Sequence, residues 1–127
     1  MTPSTTEATV EQQNLATRIE GFYHFLNAKQ WQKCFDLVDP KLRDAGEVEI
    51  AAYTNSLSSF FAKHGPMVSQ TVERLRLYVN APNKHDDRDF AYGLVALEDR
   101  EHHSLKIRER WVKASDGRWY TRTAGMV

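Results

Sequence analysis

Apolar and polar residues follow two different periods along this chain, and the change falls near Met67. Before it, Leu15, Ile19, Phe22, Tyr23 and Leu26 recur at the spacing of one helix face. Thr9-x-x-Gln12 has the form of a capping box, so the first helix is expected from Thr9 to about Ala28. Trp31, Cys34, Phe35 and Val38 predict a second, short helix, stopped by Asp39-Pro40 because the residue before proline avoids helical geometry. Lys41 to Gly46 reads as a polar connection. Ile50, Tyr53, Leu57, Phe60 and Phe61 then form the stripe of a third helix. His64-Gly65-Pro66 ends it, glycine supplying the left-handed cap.

Beyond Met67 the period is two. Glu73, Leu75, Leu77 and Val79 alternate with Arg74, Arg76 and Tyr78 in a strand running to about Asn80. Ala81 to Arg88 is a turn region, and His85-Asp86-Asp87 within it reads as solvated. Asp89 to Leu97 is apolar on both faces, as a central strand would be, with Gly93 marking a bulge. Asp99 to His103 is the next turn. The last hairpin joins Leu105–Lys113 to Arg118–Thr123, and its loop length decides which side chains share a face. A three-residue Ser115-Asp116-Gly117 loop pairs Lys113 with Trp119. That register groups Trp119 with Trp111 and Ile107, and sends Tyr120 and Arg122 outward with Arg108 and Arg110, so it is preferred. The order predicts an α+β domain: three N-terminal helices on the concave face of a curved four-stranded antiparallel sheet, with a conical pocket between them.

Composition narrows the function. A chain of 127 residues with 41% hydrophobic and 11% aromatic content supports one folded core, here residues 9–127 behind a flexible tail of residues 1–8. Seventeen basic and seventeen acidic residues cancel, which argues against nucleic-acid binding driven by net charge. A single cysteine excludes an internal disulfide and a Cys-x-x-Cys site. No basic start with an apolar run, and no membrane-spanning stretch, is visible, so the chain reads as cytoplasmic.

Candidate chemistry centres on Glu109, which sits between Ile107 and Trp111 on the inward face. A carboxylate there has its charged form disfavoured and its pKa raised, as acid–base chemistry requires. Glu73 is the same case on the first strand, and the two together would make a dyad. The expected pocket walls are Tyr23, Tyr53, Leu57, Phe60, Tyr92 and Trp111, with Glu109 as polar anchor. His24 lies beside the first helix's stripe and within reach of a pocket mouth. His102 and His103 are adjacent, so they point to opposite faces, and no ligand cluster has metal-binding spacing. Cys34 shares the apolar side of the second helix and reads as an inert core thiol. Outward, Arg74, Arg76, Lys106, Arg108, Arg110, Arg118 and Arg122 gather with Tyr78, Tyr120, Val72 and Val112, and none of the outward positions on those three strands is acidic.

The helix end Phe22-Tyr23-His24-Phe25-Leu26-Asn27-Ala28-Lys29-Gln30-Trp31, together with the closing Trp111…Asp116-Gly117-Arg118-Trp119-Tyr120 hairpin, resembles the nuclear transport factor two-like superfamily over roughly residues 9 to 125. The resemblance implies a cone-shaped, cystatin-like fold and, in many relatives, a homodimer formed through the sheet. It spans isomerases, dehydratases, cyclases and transport factors, so fold does not supply function. In its isomerase branch a first-helix tyrosine and two pocket carboxylates do the chemistry. The tyrosine position here holds Phe22, with Tyr23 one residue away, and Asp39 before Pro40 does not match the aspartate. The expectation is therefore a pocket domain, without cofactor or metal, that binds an apolar or amphipathic small molecule or serves as a dimeric interaction module. The alternative is a cofactor-free isomerase, dehydratase or cyclase using Glu109 with Tyr23 or His24.

Overall fold

A computed structural model of the chain describes residues 5–79 and 88–122; side chains are described from Val10 onward. Helix α1 runs Thr5–Asn27, so Thr9 lies inside it and the cap expected there is not its start. Its buried stripe is the predicted one: Leu15, Ile19, Phe22, Tyr23 and Leu26. It ends with Lys29 at φ 60°, Gln30 N–H donating to Phe25 O (2.9 Å) and Lys29 N–H to Leu26 O (3.1 Å), a Schellman closure with lysine where glycine is usual.

Helix α2 (Trp31–Phe35) is shorter than its apolar pattern. Asp39-Pro40 starts a helix instead of only stopping one. Asp39 caps α3 (Pro40–Asp44), its carboxylate accepting from Lys41 N–H at 3.1 Å, while Pro40 occupies the first helical position, where a missing N–H is harmless. The stretch expected to be a polar connection thus contains one helical turn, anchored by buried Leu42. Helix α4 (Ile50–His64) closes on Gly65 at φ 72°, as predicted.

Strands β1 (Ser69–Tyr78), β2 (Phe90–Glu98), β3 (Ser104–Lys113) and β4 (Trp119–Thr121) form one antiparallel sheet in chain order. The α+β layout is as expected, with α3 added. Lys113 pairs with Trp119 and Gly117 takes φ 82°, so the three-residue loop is the one used. The β1–β2 register slips between Val72 and Arg74. This bulge at Glu73 turns Val72 inward, opposite Val95, and puts Glu73 on the outer side, where its carboxylate meets Lys106 Nζ at 3.1 Å. Both corrections follow from a one-residue insertion that alternation alone cannot reveal. Gly93 is not a bulge; it pairs regularly with Leu75 and Glu109. The sequence-level turn at residues 81–87, with His85-Asp86-Asp87, lies outside the described residues, as does Thr123.

The helices pack on the inner face, where Ala91, Val95, Leu97, Trp111 and Trp119 are buried. The outer edge of β4 is closed. Thr121 bridges Val38, donating to Leu37 O (2.8 Å) and accepting from Asp39 N–H (2.9 Å), and Arg18 Nε reaches Trp119 O (2.9 Å). Among the described residues, no helix is long and apolar enough to cross a membrane. Cys34 is fully buried, its thiol 3.7 Å from Phe22 O and pushed up to about 12 by burial. A thiol reagent at neutral pH should label it slowly in the native protein and rapidly in urea; rapid native labelling would place it at the surface.

Candidate functional site

The inner face is mostly apolar. Glu109 faces Gly93 across the β2–β3 ladder. A Cβ at Gly93 would stand 3.3 Å from Leu75 Cδ2 on the neighbouring strand and 3.9 Å from Ile19 Cδ1 of α1, so α1 lies in ordinary packing contact with the sheet here. One turn beyond Ile19, Tyr23 then reaches the carboxylate. Its hydroxyl donates to Glu109 Oε2. Trp111, two residues on and therefore on the same face of the strand, donates its indole N–H to Oε1 at 2.8 Å. Tyr23, Trp111 and Glu109 are all buried, Glu109 being 6% exposed.

Burial sets the electrostatics of this cluster. It raises the Glu109 carboxyl above the usual carboxylate range, against the opposing pull of the Tyr23 and Trp111 hydrogen bonds. It also raises Tyr23 well above the usual phenol range, helped by the Glu109 charge and by the bond Tyr23 donates to it. Tyr53 on α4, 2% exposed with its ring edge-on to Phe35 at 5.6 Å, is raised by burial, then by neighbouring Cys34 and Glu109. The result is a carboxyl that takes up a proton more readily than one in water, held between two fixed donors. Each carboxylate oxygen can accept two hydrogen bonds and receives one from these donors, so acceptor capacity remains on both.

Of the residues picked from the sequence, the structure brings Glu109, Tyr23 and Trp111 into direct contact and puts Tyr53 beside them. Leu57 and Phe60 are buried on α4, Phe60 with its ring 4.7 Å from that of His64. Three others lie elsewhere. Tyr92 is 47% exposed on the opposite face, because its partner across the ladder is Arg110. His24 is exposed, 100° around α1 from Tyr23, beside Phe25. Glu73, turned outward by the bulge, forms no dyad with Glu109.

A second carboxylate serves the inner side and was not singled out. Glu11 of α1 accepts from Lys113 Nζ (2.9 Å) and from the Trp119 indole N–H (3.1 Å), the same tryptophan–carboxylate device one hairpin strand away. Its only sequence signal was a glutamate in the first polar turns of the helix, a place it shares with Glu7. Asp99, 3% exposed, accepts from the N–H groups of Glu101 and His103 at 2.9 Å each and stands near the rings of His103 (3.3 Å) and His64 (3.9 Å). Burial pushes its carboxyl up, but these hydrogen bonds and the His103 ring together hold it below the usual range. The described residues contain no group of three or more His, Cys, Asp or Glu side chains able to hold a metal ion.

A cleft of about 750 Å³ opens one helical turn from Tyr23, lined by Asn27, Lys29, Trp31, Ser58, Phe61, Ala62, Gly65, Pro66 and Arg100. Asn27 also holds buried Met67, whose backbone N–H and C=O are both bound by the Asn27 amide (2.8 and 3.0 Å). A smaller concavity of about 310 Å³ lies between α1 and the β3–β4 turn, lined by Asn14, Thr17, Arg18, Gly117, Arg118 and Trp119.

Comparison with known proteins places the fold and nothing finer. No family model matches the chain, and no functionally described protein matches its sequence. A 2.5 Å structure from Catenulispora acidiphila is similar in fold, with a TM-score of 0.59 over 91% of this chain and 89% of that one, at 15% identity.

Proposed function

We propose that this chain is a ligand-binding domain of the nuclear transport factor two-like kind, which takes an apolar or amphipathic small molecule against the inner face of its sheet. The observation that carries this reading is the Glu109 carboxyl, buried among aromatic side chains and held by Tyr23 and Trp111. A mostly apolar surface with one placed polar group is the usual make-up of a small-molecule site. A buried carboxyl also costs stability, so a folded core keeps one most readily where it has work to do. In its protonated form Glu109 can donate to a ligand carbonyl; ionised, it can accept from a ligand hydroxyl or N–H. The cleft lined by Asn27 lies one helical turn along α1 from Tyr23.

Native mass spectrometry of the purified protein tests this. The account expects a mass above that of the bare chain by one organic molecule, released on collisional activation and weakened by Glu109→Gln. A bare chain that also shows no thermal shift with a panel of sterols, quinones and fatty acids would overturn it.

A second reading rests on the same tyrosine–carboxyl pair. A carboxyl with a raised pKa beside a phenol is the equipment of proton transfer without a cofactor, as in an isomerase, dehydratase or cyclase. Exchange of a bound ketone's α-hydrogens for deuterium, abolished by Glu109→Gln, would distinguish catalysis from binding.

A further inference from the structure

The outer face of the sheet carries a second arrangement that the inner site does not use. The ladder sets three rows across β1, β2 and β3: Arg74–Leu94–Arg108, Arg76–Tyr92–Arg110 and Tyr78–Phe90–Val112. Tyr78 and Phe90 stack at 4.7 Å and 10°, and Tyr92 stands edge-on to both, at 6.0 and 5.8 Å, with 47% of its surface in water. The Arg110 guanidinium lies over the rings of Phe90 (5.9 Å) and Tyr92 (5.8 Å), and its buried Nε has no hydrogen-bond partner. Arg74, Arg76 and Arg108 are exposed. Among the described residues none of these four arginines has a carboxylate within 4.0 Å. Among the described residues the acids of this face are Glu73, next to Arg74 at the bulge and engaged by Lys106 (3.1 Å), and Glu98 at the far end of β2, engaged by His102 (2.5 Å).

A chain of zero net charge has therefore separated its charges. Contact with one face responds to the charges within a Debye length, about 10 Å at 0.1 M salt, and not to the sum over the molecule. Four guanidiniums with no carboxylate within 4.0 Å among the described residues surround an aromatic strip, and the partner must answer both features. Arg74 and Arg76 project about 6.6 Å apart along one strand, and the arginine rows of β1 and β3 are about 9.6 Å apart across it. One small anion does not span that grid. A second copy of this face would bring arginine against arginine. The carboxylates of an acidic polypeptide match the charges but make no use of an exposed ring between them. Single-stranded nucleic acid answers both, because guanidiniums bind phosphates in pairs of hydrogen bonds and unstacked bases lie on aromatic rings. We propose that the outer sheet face binds single-stranded nucleic acid, with phosphates on Arg74, Arg76 and Arg108 and a base on Tyr92 beside Arg110. A duplex keeps its bases stacked and offers Tyr92 nothing.

Fluorescence anisotropy of a labelled fifteen-residue oligothymidylate or oligouridylate with the full chain, titrated from low to moderate salt, is the test. Three phosphate contacts predict a slope of log affinity against log salt of about −2. Arg76→Gln with Arg108→Gln should weaken binding about tenfold or more and make that slope shallower by about 1.4. Tyr92→Ala should weaken it at least about fivefold without altering the slope, and Tyr92→Phe should restore it. Amide shifts on titration should concentrate on Arg74–Tyr78, Phe90–Leu94 and Arg108–Val112. No binding at low salt, shifts confined to the inner face, or indifference to Tyr92→Ala would overturn the proposal. So would equal affinity for an acidic peptide of matched charge, which would make this a protein-docking face, or a stable dimer that buries Tyr92.

Discussion

Asp39→Ala should be among the most damaging single substitutions in this chain, lowering stability by about 4 kcal/mol. Its side chain is fully buried and accepts from Arg88 Nη1 at 2.6 Å, with Arg122 Nη1 3.8 Å away. Removing one partner of a buried pair costs about 3 to 5 kcal/mol, and the lower end applies because Arg88 keeps 13% of its side-chain surface in water. Losing the cap on Lys41 N–H adds about 1 kcal/mol. The effect spreads because the Asp39 backbone also pins Thr121 at the sheet edge. Urea denaturation should show the loss as an earlier midpoint with little change in slope, and the melting temperature should fall by roughly 12 °C or more. Asp39→Asn, which keeps the cap and removes only the charge, should cost less. A loss below about 1 kcal/mol for the alanine variant would mean the pair is solvated.

The second large effect belongs to Tyr23→Phe, and it depends on pH. Deleting the hydroxyl leaves a buried carboxylate without one of its two donors, a cost of about 1 to 3 kcal/mol at neutral pH. The sign follows from linkage. Glu109 has a folded pKa above its unfolded one, so the stability it contributes is present in acid and is lost as pH rises through the folded pKa. The Tyr23 bond opposes that rise, so removing it moves the folded pKa higher still. The penalty of Tyr23→Phe should therefore be small in acid, grow as pH passes from the wild-type pKa to the variant's, and level off above it. Glu109→Gln, which never ionises, should raise the melting temperature at pH 7, with the gain closing in acid. In the Glu109→Gln background the pH dependence of Tyr23→Phe should vanish.

Much of this arrangement was legible in the sequence. The inward position of Glu109 followed from strand parity between Ile107 and Trp111, and the hairpin register from the segregation of Trp119 and Arg118 by loop length. Parity also separates what it cannot join. It put Tyr92 among the pocket walls only because a central strand is apolar on both faces, so alternation carries no sign there. The bulge at Glu73 was invisible because one inserted residue leaves composition unchanged and reverses everything before it. Proline at Asp39-Pro40 was read as a stop, although the same pair is a good start when the aspartate can turn back onto the next N–H groups. The contacts of Tyr23 and Glu11 with the sheet depend on how closely α1 approaches it. Ile19 of α1 meets the sheet at Gly93, and the two are remote from each other along the chain.

The carboxyl carbon of Glu109, followed by carbon-13 NMR and assigned by its absence in Glu109→Gln, tests the central claim most directly. The account predicts a titration midpoint above the ordinary glutamate value of about 4.3, moved higher by Tyr23→Phe and displaced by any ligand that engages the inner face. A midpoint at or below that value, unmoved by Tyr23→Phe, would contradict it and place Glu109 in water.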